Sequence, residues 1–135
     1  MQGTQSAILP DHILSAVLTL AKRESKRDRL AFRSHDFQLQ GIFDELRKMG
    51  TYPILNAFVF SDEGPEAYSP ALNESVSRLQ LSGLIGRENP DYAVVFLRPA
   101  AERFFDEVLR IEFDENQLRQ LTEIASQFLK RVTVV

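Results

Sequence analysis

An α+β fold, mostly helical, follows from three features of this 135-residue chain. Apolar residues recur at helical spacing in most of its segments. One of those helices has a sharp glycine stop and runs straight into a turn-rich tetrapeptide flanked by β-prone residues. A hydrophobic share of 44% and a charged share of 26% belong to an ordinary soluble globular protein. A chain of this length buries roughly 65–70% of the surface its unfolded form exposes, so it needs no staples. It has no cysteine, which removes disulfides and cysteine-ligated clusters and is compatible with a cytoplasmic home.

Each element has a local reason. After Pro10 and Asp11, the residues Ile13, Leu14, Val17, Leu18, Leu20 and Ala21 form a helical stripe over 11–24. The basic stretch behind it reads as a connector or a fraying helix end. A second helix spans 35–49, with Ser34 as N-cap, an apolar stripe of Phe37, Leu39, Ile42, Phe43 and Leu46, and Gly50 as the left-handed stop. YPILNAFVF (52–60) is short, aromatic and β-branched and reads as a buried strand, with a helical turn after Pro53 as the other reading. SDEGPEA (61–67) is a loop.

The third helix, 69–82, is the best specified. Ser69 can cap it, and Pro70 stands at the first helical position, where a missing N–H costs nothing. Leu72, Val76 and Leu79 mark one face, Gly83 supplies the stop, and Leu84 can close over Leu79. Leu84–Arg87 and Tyr92–Leu97 then flank Glu88-Asn89-Pro90-Asp91 as a β-hairpin. Pro99 opens a helix over 99–110 with Phe104, Phe105, Val108 and Leu109. Asp114 and Gln117 form a capping-box pair for a last helix reaching 131.

The order helix, helix, strand, helix, hairpin is that of a winged helix, with segment 54–60 as the strand that pairs with the wing. An unrelated α+β packing is the alternative. The expected organisation is a winged-helix-like domain over 1–98 and two added helices over 99–135, packed on it or forming a dimer interface through Phe104, Phe105 and Phe128. The N-terminus carries no positive residue before its apolar run, and no stretch approaches the roughly 20 apolar residues that span a bilayer.

Charge is uneven. Residues 22–33 hold six basic and two acidic side chains, whereas 49–135 hold 8 basic and 13 acidic. Phosphate contacts supply most non-specific DNA affinity, so the basic run is the one candidate patch.

The stretch GPEAYSPALNESVSRLQLSGLI resembles a segment of Panacea-domain antitoxins and related small bacterial proteins, in which Gly-Pro and Tyr-Ser lead into a helix ending in Gly-Leu-Ile. The matching positions are Gly64, Pro65, Tyr68, Ser69, Leu72, Leu79, Gly83, Leu84 and Ile85, and LQGIFDELRKMG is similar to the preceding helix. The resemblance runs from Leu39 to just beyond Leu84. It implies a protein-binding or regulatory module rather than a catalyst.

The chemistry-bearing residues point the same way. His12 and His35 have neither a second histidine nor a carboxylate four residues on, and Asp36 beside His35 faces another direction. There is no G-x-S-x-G, no phosphate-cradling glycine loop and no H-E-x-x-H. The adjacent acids Asp44-Glu45, Asp62-Glu63 and Asp106-Glu107 read as solvated faces. No enzyme, metal, cofactor or small-molecule substrate is expected.

Two roles remain open. One is a small regulatory, antitoxin-like protein-interaction module, with an exposed apolar patch near Tyr68 and the C-terminal helices. The alternative is a DNA-binding winged-helix regulator acting as a dimer. There Asn73, Ser77, Arg78 and Gln80, flanked by Ser75, would face bases, while Lys22, Arg23, Lys26, Arg27 and Arg29 would meet phosphates. Against DNA stand Glu74, placed to occupy Arg78, and the acids Glu88 and Asp91 at the wing tip.

Overall fold

The first helix is the centre of the molecule. In the computed structural model, which describes residues 8–33, 38–61, 67–88 and 94–134, α1 spans Pro10–Ser25 and every residue from Ile13 to Thr19 is buried. A helix buried all round needs neighbours on all sides. It finds α6 (Glu115–Arg131) along one flank and α3 (Pro70–Leu81) along another. Lys26 ends α1 in the left-handed conformation, φ 60°, with its N–H donating to the Arg23 carbonyl.

The strand that pairs with the hairpin comes from the basic run. β1 is Ala31–Arg33, and it lies antiparallel to β3 (Val94–Leu97), which also pairs with β2 (Ile85–Glu88), giving the order β1-β3-β2. Ala31 faces Phe96, and Ile85 faces Leu97. The expected hairpin is present, and its turn residues 89–93 lie outside the described residues. The far side of β1 is met by the chain's end, where Phe32 bridges Val134.

Segment 52–60 corrects the expectation of a strand. Pro53–Ala57 is a 3₁₀ helix, the helical turn after Pro53. Three residues per turn place Tyr52, Leu55 and Phe58 on one side, and all three are buried. The observed order is therefore α1-β1-α2-α3-β2-β3, with β1 ahead of the second helix and not behind it.

Helix α2 is Gln38–Lys48; the expected cap Ser34, with His35, Asp36 and Phe37, lies outside the described residues. Gly50 stops this helix at φ +74° as anticipated. After β3, α4 (Pro99–Phe104) continues through a π-helical segment, Phe105–Leu109, into α5 (Arg110–Glu112). The capping box at Asp114 and Gln117 is formed, each backbone N–H donating to the other's side-chain oxygen at 2.8 Å.

One continuous core joins the helices to the inner face of the sheet. Phe128 of α6 meets Phe32 edge-on at 5.5 Å and Phe43 at 6.3 Å, and Phe43 meets Phe58 at 5.5 Å. Burying each such ring stabilises the fold by about 1.5–3 kcal/mol, and edge-on pairing adds to that. Phe105 and Phe128, expected at a dimer interface, are consumed here at 2% and 0% exposure, and Phe104 is half-buried against His12.

Candidate interaction surface

Helix α3 is held by its first turn and its last. Ser69 caps it by accepting from the Leu72 N–H at 3.3 Å. The backbone of Ser69 is itself clamped by a buried glutamine of α2. Its N–H donates to Gln40 Oε1 at 2.8 Å, and its carbonyl accepts from Gln40 Nε2 at 3.0 Å. At the other end Gly83, φ +81°, donates to the Gln80 carbonyl and Leu84 to the Leu79 carbonyl. This pair of bonds is a Schellman stop.

Leu72, Val76 and Leu79 point inward as the spacing requires. Ser75, expected to flank the outward face, is instead fully buried and donates to Asp11 Oδ1 at 2.6 Å. Arg78 lies against the same carboxylate in a two-point contact, Nε to Oδ2 at 2.7 Å and Nη2 to Oδ1 at 2.9 Å. Its Nη1 is 3.5 Å from Glu74 Oε1. Partial burial pushes the Asp11 carboxyl up, but the hydrogen bonds from Arg78 and Ser75 outweigh it and hold the group below its ordinary value. Beside the exposed ion pair of Glu74 and Arg78, α3 presents Asn73, Ser77, Gln80 and Leu81 to solvent, the last at 87%.

The basic run is divided by the same logic. Lys22 Nζ lies 2.9 Å from Glu102 Oε2 and Arg23 Nε 3.1 Å from Glu102 Oε1. Arg23 also grips Asp106 with both terminal nitrogens, at 3.1 and 3.0 Å. The hydrogen bond from Lys22 is the main reason the Glu102 carboxyl sits below its usual range, against burial and helped by Arg23. Arg29 pairs with Glu88. Lys26 and Arg27 are exposed and have no carboxylate partner among the described residues.

Of the nine residues nominated from sequence, then, Lys22, Arg23, Arg29 and Arg78 are held by acids, while Asn73, Ser77, Gln80, Lys26 and Arg27 are open to solvent. Sequence reasoning missed Gln40, Asp11 and Glu102. The first was legible as a polar residue beside the α2 stripe; the other two act on partners 67 and 79–80 residues away. His12, for which no metal role was expected, pairs with Glu112 at 2.6 Å and ties the start of α1 to α5.

Among the described residues, large apolar side chains are exposed at three places besides Leu9, Met49 and Val108. They are Leu81 on α3, Ile111 on α5 at 80%, and Val59 at 73%, two residues before the Ser61–Tyr68 bridge. Among the described residues no group of three or more His, Cys, Asp or Glu could hold a metal ion, and no helix is long and apolar enough to cross a membrane. Comparison with protein-family models, with curated proteins and with solved structures returns no match for this chain.

Proposed function

We propose that this chain is a winged-helix-like regulatory module whose third helix holds a protein partner, with no catalytic centre of its own. The observation that carries the reading is the electrostatics of that helix. Its one cation, Arg78, is taken by Asp11 and Glu74, so the exposed face of Asn73, Ser77, Gln80 and Leu81 offers no free cation and presents a bare leucine beside the exposed Glu74. A large exposed apolar anchor whose neighbouring charges are already paired with each other suits a protein interface. A helix that enters a DNA groove needs free lysines and arginines beside it. The element order and the β1-β3-β2 sheet support the winged-helix part. The resemblance to Panacea-domain antitoxins points to the same kind of role.

The test uses the full chain and Leu81→Asp. A companion that co-purifies stoichiometrically with the wild type is itself purified and rebound, and Leu81→Asp weakens that binding at least about 30-fold, the scale of an interface hot spot. Analytical ultracentrifugation of the chain alone separates a second copy from a different protein. Salt-steep binding of duplex DNA by the wild type, unchanged in Leu81→Asp, refutes the reading. It would favour the DNA-binding regulator, for which Lys26 and Arg27 are the exposed cations without acidic partners among the described residues.

A further inference from the structure

We infer that the outer face of the β2–β3 hairpin carries a binding site for one nucleotide unit, a planar base with its phosphate. Strand alternation turns Val95 and Leu97 into the core and sends Phe96, between them, to the opposite face. Gly86 stands directly across from Phe96. A Cβ at that position would come within 2.4 Å of Phe96 Cζ and 2.8 Å of Cε1, so the glycine is what lets the ring lie over the sheet. Two guanidinium groups lie on that ring, Arg29 at 4.3 Å from its centroid and Arg98 at 5.3 Å.

An open cleft of about 220 Å³ adjoins this stack, lined by Phe96, Leu97 and Pro99 with the charged residues Lys22, Asp28, Arg29, Arg98 and Glu102. That volume is below the roughly 300–1,000 Å³ of sites for drug-sized ligands and suits a single base or sugar-phosphate fragment. Guanidinium planes stack on bases as aromatic rings do and keep their N–H groups for phosphate oxygens. Lys22 is held by Glu102 and Arg29 by Glu88, but Arg98 has no carboxylate partner among the described residues. It is the charge available to a phosphate. Asp28, equally without a cationic partner among the described residues, can accept from the amino group of a base. The site uses none of the exposed residues of α3, so its failure leaves the partner surface untouched.

The experiment is an NMR titration of the isotopically labelled full chain with adenosine 5′-monophosphate, adenosine, inorganic phosphate and a short oligothymidylate. The monophosphate shifts the amide signals of Leu97, Arg98 and Arg29 and saturates at millimolar concentration or below. Phe96→Leu and Arg98→Ala each weaken it at least about fivefold. Arg98→Lys, which keeps the charge and loses the plane, retains phosphate binding and loses the preference for the base. Tighter binding of the oligothymidylate at the same signals assigns the unit to a strand, and tighter binding of the monophosphate assigns it to a free nucleotide. Absence of shifts at about 10 mM overturns the proposal. So does inorganic phosphate binding as tightly as the monophosphate, or affinity unchanged in the folded Arg98→Ala chain, an exposed position that keeps the test valid if Phe96→Leu fails to fold.

Discussion

Replacing Gln40 by alanine strips the start of α3 of two hydrogen bonds at once. Ser69 is fully buried, so its N–H, paired with Gln40 at 2.8 Å, cannot turn to water instead, whereas its carbonyl, 3.0 Å from the Gln40 amide, still accepts from the Asn73 N–H at 3.2 Å. Each buried group left unmade costs about 1–3 kcal/mol. With one orphaned N–H, one lost second bond to the carbonyl and a small cavity term, Gln40→Ala loses about 2–3 kcal/mol, a large part of the 5–15 kcal/mol expected of a whole domain. Gln40→Glu is the sharper probe. Its carboxylate can accept from the Ser69 N–H but meets the Ser69 carbonyl with no proton to donate. Once protonated, Glu has both a donor and an acceptor, as Gln does. Urea denaturation at pH 7 and near pH 4.5 therefore shows Gln40→Glu strongly destabilised at the first and partly restored relative to wild type at the second. A loss below about 1 kcal/mol in Gln40→Ala, or no pH dependence in the Glu variant, would mean the clamp does not hold the cap.

Three further outcomes follow from particular residues. Gly83→Ala meets no atom within 4 Å but must adopt φ +81°, so thermal melting should show a loss of about 1–2 kcal/mol. Lys26→Gly, at φ 60°, should not lose stability. Thr19 Oγ1 is buried without a partner among the described residues, and the isosteric Thr19→Val should be neutral or up to about 1 kcal/mol more stable by denaturant midpoint; a clear loss would show that the hydroxyl is satisfied. Asp11 and Glu102 both sit below their ordinary pKa in the folded chain. Their contribution is thus complete above the unfolded carboxylate range and is lost as pH falls through about 4 and below. Glu102→Gln should flatten the acid limb of stability against pH, and an unchanged limb would remove Glu102 from the account.

Elements specified by near neighbours were legible. The α3 cap at Ser69, the stop at Gly83 and the Asp114–Gln117 box each close within five residues, and all three stand as the spacing required. Segment 52–60 misled because aromatic and β-branched residues suit strands, while the three-residue recurrence of Tyr52, Leu55 and Phe58 that marks a 3₁₀ turn was the weaker signal. β1 escaped notice because Leu30, Ala31 and Phe32 make a short apolar trio inside a charged run, and a strand of three residues exists only where a partner strand is offered.

Amino-acid order alone thus determined where the α-helices run, where they stop and which apolar stripes turn inward, since those depend on bonds and periodicities a few residues long. Which charges remain free was decided only in three dimensions. Arg78, Lys22 and Arg23 look alike to Lys26 and Arg27 along the chain, but packing α1 against α3, α4 and the π-helical segment brings Asp11, Glu102 and Asp106 within 3.1 Å of the first three. Coulomb attraction acts through space and not along sequence, so the pattern of free charge on this surface is a property of the fold.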